Sequence, residues 1–279
     1  MTSPVLPDPD NPGRDRIRAD LRYIVFLSPD TLETVSAIVA GYGGSIDSVP
    51  DARRLLTAMA STDGDCLVID PSLITATIAE TIVVTLAKYP RPVVVSCAIT
   101  PVAMDSAVIL AERTQTRFIF RGVPAEHSLL ERALLLTPDV KLSAALLSGI
   151  DAQMARLTSV IRDRLRDVLL TGDGAHSVDA LAAMMAHTRR SLERHLADAG
   201  FVSGTRLLDA VRIVAGYTAI TRSTVPFESI ARMLGCTMRA MDAQFVVMIG
   251  VTCSGLRAEP RAVEEMGRRI VRRLTEREG

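Results

Sequence analysis

Residues 177–200 read SVDALAAMMAHTRRSLERHLADAG and residues 227–257 read FESIARMLGCTMRAMDAQFVVMIGVTCSGLR, and the two stretches carry one pattern. Val178, Leu181, Ala182 and Met185 recur at i, i+3, i+4 and i+7, a spacing that puts four apolar side chains on one face of a helix. Phe227, Ile230, Ala231 and Leu234 repeat it. After each set a short turn leads into a second helix, opening at Thr188 in the first unit and near Thr237 in the second. Each unit reads as a helix-turn-helix, whose second helix is shaped to lie in a major groove of double-stranded DNA. The helix predicted between them, about residues 205–220, spans roughly 24 Å at ~1.5 Å per residue, enough to hold two recognition helices toward successive grooves.

Several further positions add to the pattern. Leu181, Ala182, Thr188, Leu192, Arg194, Leu196 and Gly200 in the first unit, Arg212 between the units, and Ile230-Ala231, Leu234-Gly235, Phe245, Gly250 and the closing GVTCSGLR in the second all fall in order. This arrangement resembles the DNA-binding domain of AraC/XylS-family transcription regulators, with Cys253 where that family usually has Pro. The turn before the second recognition helix is one residue shorter than the family's. The resemblance covers about the last hundred residues. It implies sequence-specific DNA binding, with RNA polymerase or another regulator as protein partners.

In the first recognition helix, Leu192, Leu196 and Ala199 define a buried face, leaving Arg189, Arg190, Glu193 and Arg194 to project from the opening turns beside Thr188. Arg binds guanine bidentately and Glu accepts from cytosine, so these side chains are candidate base readers, with His195 a candidate phosphate donor. For Arg194 a packing or backbone role is an equal reading. The second recognition helix is poorer. Met241, Phe245 and Ile249 read as core, Met238, Val246 and Val247 cannot donate to phosphate, and only Arg239, Asp242 and Gln244 are polar, of which Arg239 and Gln244 are the donors. Unequal base reading by the two units is expected, and an exposed apolar face is also what a protein contact uses.

The first half alternates short β-rich runs with helical stretches: RYIVFLS then residues 31–40, SIDSV then 51–60, CLVID then 75–88, PVVVSC then 102–114, and RFIF then 125–136. Five such units predict a doubly wound α/β domain, a five-stranded parallel sheet with helices on both faces. It resembles a response-regulator receiver (a flavodoxin-like fold), with Asp70 at the end of the third strand where a receiver carries its phosphoacceptor. Arg121 falls in the place of the receiver's Lys, and Ser96 or Cys97 in that of its Ser/Thr. Phosphoryl transfer to Asp needs Mg²⁺ held by adjacent acids, and this chain has Leu27 and Ser28 where a receiver has them, with Asp30 slightly beyond. Asp70 is therefore expected to be phosphoacceptor-like but inactive, a carboxylate making turn hydrogen bonds.

The domain organisation expected is a disordered, Pro-rich segment over 1–20, the receiver-like domain over 21–137, a helical linker over 138–160, an AraC-type DNA-binding domain over 161–258 and a terminal helix over 259–279. Ile150, Met154, Leu157, Ile161, Leu165 and Val168 form one apolar helical stripe, read as a homodimer seam up to Leu157 and as core after it. In the terminal helix, Val263, Met266, Ile270 and Leu274 share a face, while Glu264 and Glu265 precede Arg268 and Arg269 by ion-pair spacing, so a docked surface helix is expected.

Composition is that of an ordinary globular chain, 48% hydrophobic and 23% charged with zero net charge. From Ser177 onward there are 15 Arg against 11 Asp and Glu, which puts the basic part where the repeated motif lies. No signal-like segment and no run of ~20 apolar residues is present, so a cytoplasmic protein away from membranes is expected. Cys66, Cys97, Cys236 and Cys253 are too scattered for a zinc site, and His127, His176, His187 and His195 lack ligand spacing, so no metal and no cofactor are expected. No nucleophile or phosphate-binding motif points to an enzyme. The leading expectation is a transcription regulator whose receiver-like domain senses or dimerises without phosphorylation. The second is a regulatory adaptor that has lost specific DNA binding.

Overall fold

The computed structural model describes residues 21–61, 64–113, 116–172 and 177–276; residues 1–20, expected to be disordered, and His176 lie outside them. Five short runs form strands β1 (Arg22–Phe26), β2 (Ser45–Ser48), β3 (Cys66–Ile69), β4 (Val93–Cys97) and β5 (Thr116–Phe120). All pair in parallel, in the order β2-β1-β3-β4-β5. The crossovers carry α1 (Pro29–Gly41), α2 (Ala52–Ala60), α3 (Ala76–Lys88) and α4 (Pro101–Arg113), with a single 3-10 turn at Pro71–Leu73, and α5 (Glu126–Leu135) follows β5. Successive strand residues point to opposite faces. Tyr23, Val25, Val68 and Val94 thus pack with α1 and α5, while Ile24, Leu67, Ile69 and Val95 pack with α2, α3 and α4. This is the doubly wound α/β architecture that the alternating pattern predicts. Only β2, at the edge, is polar and exposed, which discourages pairing with another chain.

The rest of the chain is helical: α6 (Val140–Gly149), α7 (Asp151–Met154), α8 (Ser159–Thr171), α9 (Val178–Met184), α10 (Arg189–Ala199), α11 (Gly204–Arg222), α12 (Phe227–Met233), α13 (Met238–Ile249), α14 (Cys253–Ala258) and α15 (Val263–Thr275). The tandem helix-turn-helix is α9–α10 and α12–α13, with α11 between. Fifteen of the nineteen residues of α11 are buried, so it is enclosed on nearly every side and forms the axis on which both units pack. Small residues permit that closeness: a Cβ added at Gly216 would stand 3.0 Å from Leu234 Cδ1.

The stripe from Ile150 to Val168 does not form one continuous helix. The chain turns over residues 155–158 between α7 and α8, and Ile150, Met154, Leu157, Ile161, Leu165 and Val168 are all buried in the molecule's own core. A coiled-coil seam over Ile150 to Leu157 is therefore corrected to intramolecular packing. The segment read as a linker is equally part of the body, because α6 packs on α8 and α15. Helix α15 is docked through Met266, Ile270 and Leu274, with Arg269 pairing Glu265 at 2.8 Å.

One core runs through both halves. The α1 and α5 side of the sheet is continuous with the cores of α6, α8 and α11, and polar contacts reinforce the junction. Asp65 takes the Arg22 amide and pairs with Arg222 of α11, and the Thr224 amide donates to the Tyr42 carbonyl at 3.1 Å. Cys66, Cys97 and Cys253 are buried thiols and Cys236 is partly so. No helix among the described residues is long and apolar enough to cross a membrane.

A shared core predicts shared unfolding. Ile213→Ala, deep in α11, should cost about 2–5 kcal/mol, and urea unfolding followed by tyrosine signals of the sheet (Tyr23, Tyr42) should shift together with far-ultraviolet circular dichroism. A tyrosine transition left in place by this change would show that the halves unfold independently.

Candidate nucleic-acid interface

The two helix-turn-helix units superimpose in sequence with an offset of 49 residues, and the structure keeps that register at every structural device. Thr188 and Thr237 are the N-caps of the second helices, accepting from the amides of Ser191 and Ala240, each at 3.2 Å. A cap of this kind satisfies one of the free amides at a helix start. The turns are equal in length, four residues between α9 and α10 and four between α12 and α13, so the second turn is not shortened relative to the first. Each turn passes through the left-handed region at the equivalent residue, Gly235 at φ 71° and Ala186 at φ 56°. Gly adopts that conformation freely, whereas Ala pays roughly 1–2 kcal/mol for its Cβ.

A second device was not anticipated from sequence. Glu193 Oε2 accepts from the Gly204 amide at 2.9 Å, and Asp242 Oδ1 from the Cys253 amide at 2.7 Å. Each carboxylate reaches eleven residues ahead to the N-terminus of the next helix, where the macrodipole favours negative charge. One oxygen of Glu193 thereby serves as a strut that fixes α10 against α11. The signal was present in sequence as an acid at the same offset in both units, each followed eleven residues later by the residue after a capping Ser203 or Thr252.

The remaining candidates divide by exposure. On α10, Arg189, Arg190 and Arg194 are exposed, and Arg189 touches only Asp179, across 3.5 Å at the surface, a contact of little strength. His195 is half-buried, its ring 5.1 Å from that of His187. On α13 the equivalents of Arg190, Arg194, Ala197 and Asp198 are Arg239, Ala243, Val246 and Val247, all exposed. Arg190 and Arg239 are thus the one basic pair common to both helices. Gln244 is half-buried with its Oε1 enclosed and unpartnered, so only part of that side chain is available for reading bases. Val246 and Val247 remain 45% and 37% exposed.

Scaffold contacts hold the second unit. Arg257 of α14 lies 3.9 Å over the Phe227 ring and donates to the carbonyls of Ile220 and Val225, joining the end of α11 to the start of α12. Arg269 of α15 donates to the Ile249 carbonyl at 3.0 Å, closing the C-terminus of α13.

In the sheet, Asp70 follows β3 where the strand order reverses, the place at which open α/β sheets form a crevice. The crevice is closed by an ion pair. Arg121 Nη2 lies 2.9 Å from Asp70 Oδ2 without the alignment of a hydrogen bond, and its Nη1 donates to Ser28 and Thr31. Asp70 Oδ1 accepts from the amide and hydroxyl of Ser72, the turn-forming role expected of a strand-end carboxylate. The carboxylate is 1% exposed. Register decides between Ser96 and Cys97: Ile69 pairs with Val95, so Ser96 shares the next rung with Asp70. Burial, and then the Asp70 charge, push the Cys97 thiol pKa up.

Comparison of the sequence with protein-family models and with curated proteins gave no match. One solved structure is similar in part, full-length FixJ from B. japonicum, at 16% identity over 64% of this chain and 87% of that one, with a TM-score of 0.33. The functional reading rests on the chain's own residues.

Two stability changes follow from this geometry. Ala186→Gly should raise stability by about 0.5–1 kcal/mol by relieving the left-handed Ala, whereas Glu193→Ala should lower it by about 1–3 kcal/mol by leaving the Gly204 amide unpaired. Chemical denaturation of the two variants measures both, and a destabilised Ala186→Gly protein would refute the strain.

Proposed function

We propose that the chain is a sequence-specific DNA-binding transcription regulator of the AraC/XylS type, reading bases chiefly through Arg190 and Arg194 of its first unit. The observation that carries this reading is the tandem helix-turn-helix itself, two units in one register on a buried helix, with Arg190 and Arg239 exposed at equivalent points. A spacer of nineteen residues is about 28 Å long, suited to holding two recognition helices on one side of a duplex. Arg189 and Thr188 add phosphate contacts at the helix start, with His195 beside them. RNA polymerase or another regulator is the protein partner in this reading, and the compartment is the cytoplasm.

The receiver-like domain acts without phosphate on Asp70. Arg121 already supplies the positive charge that Mg²⁺ would bring, and Ser28 stands where an acidic ligand is needed. A phosphoryl group on Asp70 would have to displace either Arg121 from Oδ2 or Ser72 from Oδ1, on a carboxylate closed to solvent.

A second reading, a regulatory adaptor without specific DNA binding, is favoured by one observation, the exposed Val246 and Val247 on the face where a reader needs donors. The two readings part on mutation. Arg190→Ala should weaken binding to the preferred duplex by about 1–3 kcal/mol and relax base preference, while Arg239→Ala weakens binding to all sequences alike. Fluorescence anisotropy on specific and scrambled duplexes measures both, and equal affinity of the unmodified protein for the two duplexes would favour the adaptor. Incubation with acetyl phosphate and Mg²⁺ should leave Asp70 unmodified in mass spectra, and Asp70→Asn should bind DNA like the parent. A phosphorylated Asp70 would overturn the phosphate-independent account.

A further inference from the structure

A cavity of about 550 Å³ opens where the sheet meets the helical body, between the approach to β3, the turn from α3 to β4, the start of α6 and the end of α11. That volume is in the range of small-molecule sites. Of its described walls, Lys88, Arg91, Lys141 and Arg222 are cationic, facing two carboxylates, Asp65 and Asp139. The acids are already engaged. Asp65 pairs with Arg222 and takes the Arg22 amide, and Asp139 caps α6 by accepting from the Leu142 amide. Four cationic side chains against two carboxylates leave the described walls with a net charge of +2. In a chain with 30 Arg, Lys88 and Lys141 are the only lysines, and both line this one cavity.

Two buried side chains in the walls carry polar atoms without a partner among the described residues. Arg91 is 8% exposed; its Nη2 donates to the carbonyls of Met59 and Ser61, but its Nε and Nη1 have no acceptor among the described residues. Thr218 of α11, 2% exposed, has an Oγ1 without a partner. A buried donor left unmade is costly, and a guanidinium more so than a neutral group. Burial also lowers the Arg91 pKa from its ordinary value. Tyr89, Pro90, Pro138 and Val263 supply the apolar part of the lining.

We propose that this cavity binds a small organic anion, a carboxylate or phosphate monoester on an aromatic or apolar body, as an effector. Lys88 and Lys141 meet the anionic group, Arg91 gains the acceptor it lacks, and the apolar wall takes the body. The site joins Lys88 and Arg91 of the sheet to Thr218 and Arg222 of α11, the helix that spaces the two recognition helices. Occupancy is therefore linked to DNA affinity, and by linkage DNA changes the ligand's affinity by the same factor. The effector role rests on the function proposed above; the binding site does not.

Titration calorimetry of the full chain tests the site without DNA, using phenyl phosphate and benzoate as probes, with inorganic phosphate and benzyl alcohol as controls. At least one organic anion should bind saturably at one site, at least tenfold more tightly than either control, and should slow acetylation of Lys88 and Lys141. The Lys88→Gln/Lys141→Gln protein, altered only at exposed side chains, should keep its unfolding midpoint and bind the probe at least tenfold more weakly. No saturable binding of either organic anion, inorganic phosphate binding as tightly as the best probe, or unchanged affinity in the double variant would each overturn the site. With a saturating probe, DNA affinity should shift at least threefold. Probe binding with unshifted DNA affinity overturns the effector role alone, whereas absence of DNA binding overturns the proposed function and the effector role while leaving the site standing.

Discussion

The burial of α11 is the constraint on which the rest of the molecule depends. With most of its residues inside, both helix-turn-helix units must pack on it, and their separation is fixed by its length. Its ends are tied as firmly as its sides. Glu193 holds the N-terminal amide of Gly204, while Arg222 and the following Thr224 fasten the C-terminal end to Asp65 and Tyr42 of the sheet. Embedded in a common core, α11 is packed against both helix-turn-helix units, and packed interiors shift between discrete arrangements and do not deform smoothly.

That coupling changes what the sheet can do. The crevice at the strand-order reversal, where such a fold usually holds its ligand, is filled by Arg121 and Asp70. Chemistry is withdrawn from that end of the sheet. Net positive charge collects instead at the opposite, N-terminal side of β3 and β4, next to α11. The charged groups thus mark a junction between sheet and axis, which suits a signal passed by binding better than one passed by phosphate.

What could be read from sequence follows the range of the interactions involved. The strands were legible because buried parallel strands are continuous apolar runs, and the helices because four apolar positions at helical spacing need no distant partner to be recognised. Thr188 as a helix start and Asp70 as a strand-end carboxylate were legible for the same local reason. The stripe from Ile150 to Val168 misled because helical spacing does not register a turn: its period persists across residues 155–158, and only the folded chain shows that both pieces face one core. The bond from the Gly204 amide to Glu193 was not legible, because a polar position on a helix does not reveal which distant amide it meets. The meeting of Lys88 with Lys141, or of Arg121 with Asp70, depends on how the sheet and helices dock, and single-sequence pattern carries no trace of it.

The two helix-turn-helix units share a scaffold but not a surface. Arg189, Arg190, Arg194, Ala197 and Asp198 on α10 correspond to Met238, Arg239, Ala243, Val246 and Val247 on α13, so the same geometry presents three exposed arginines in one unit and one in the other. Under the proposed function, a rigid axis with unequal readers makes a specific demand on DNA. Selection from a duplex library randomised over both half-sites, followed by sequencing, measures it directly. The account predicts a single strongly specified half-site with a weakly specified neighbour one helical turn away. Equal or greater information in the second half-site, or no enriched sequence at all, would contradict it.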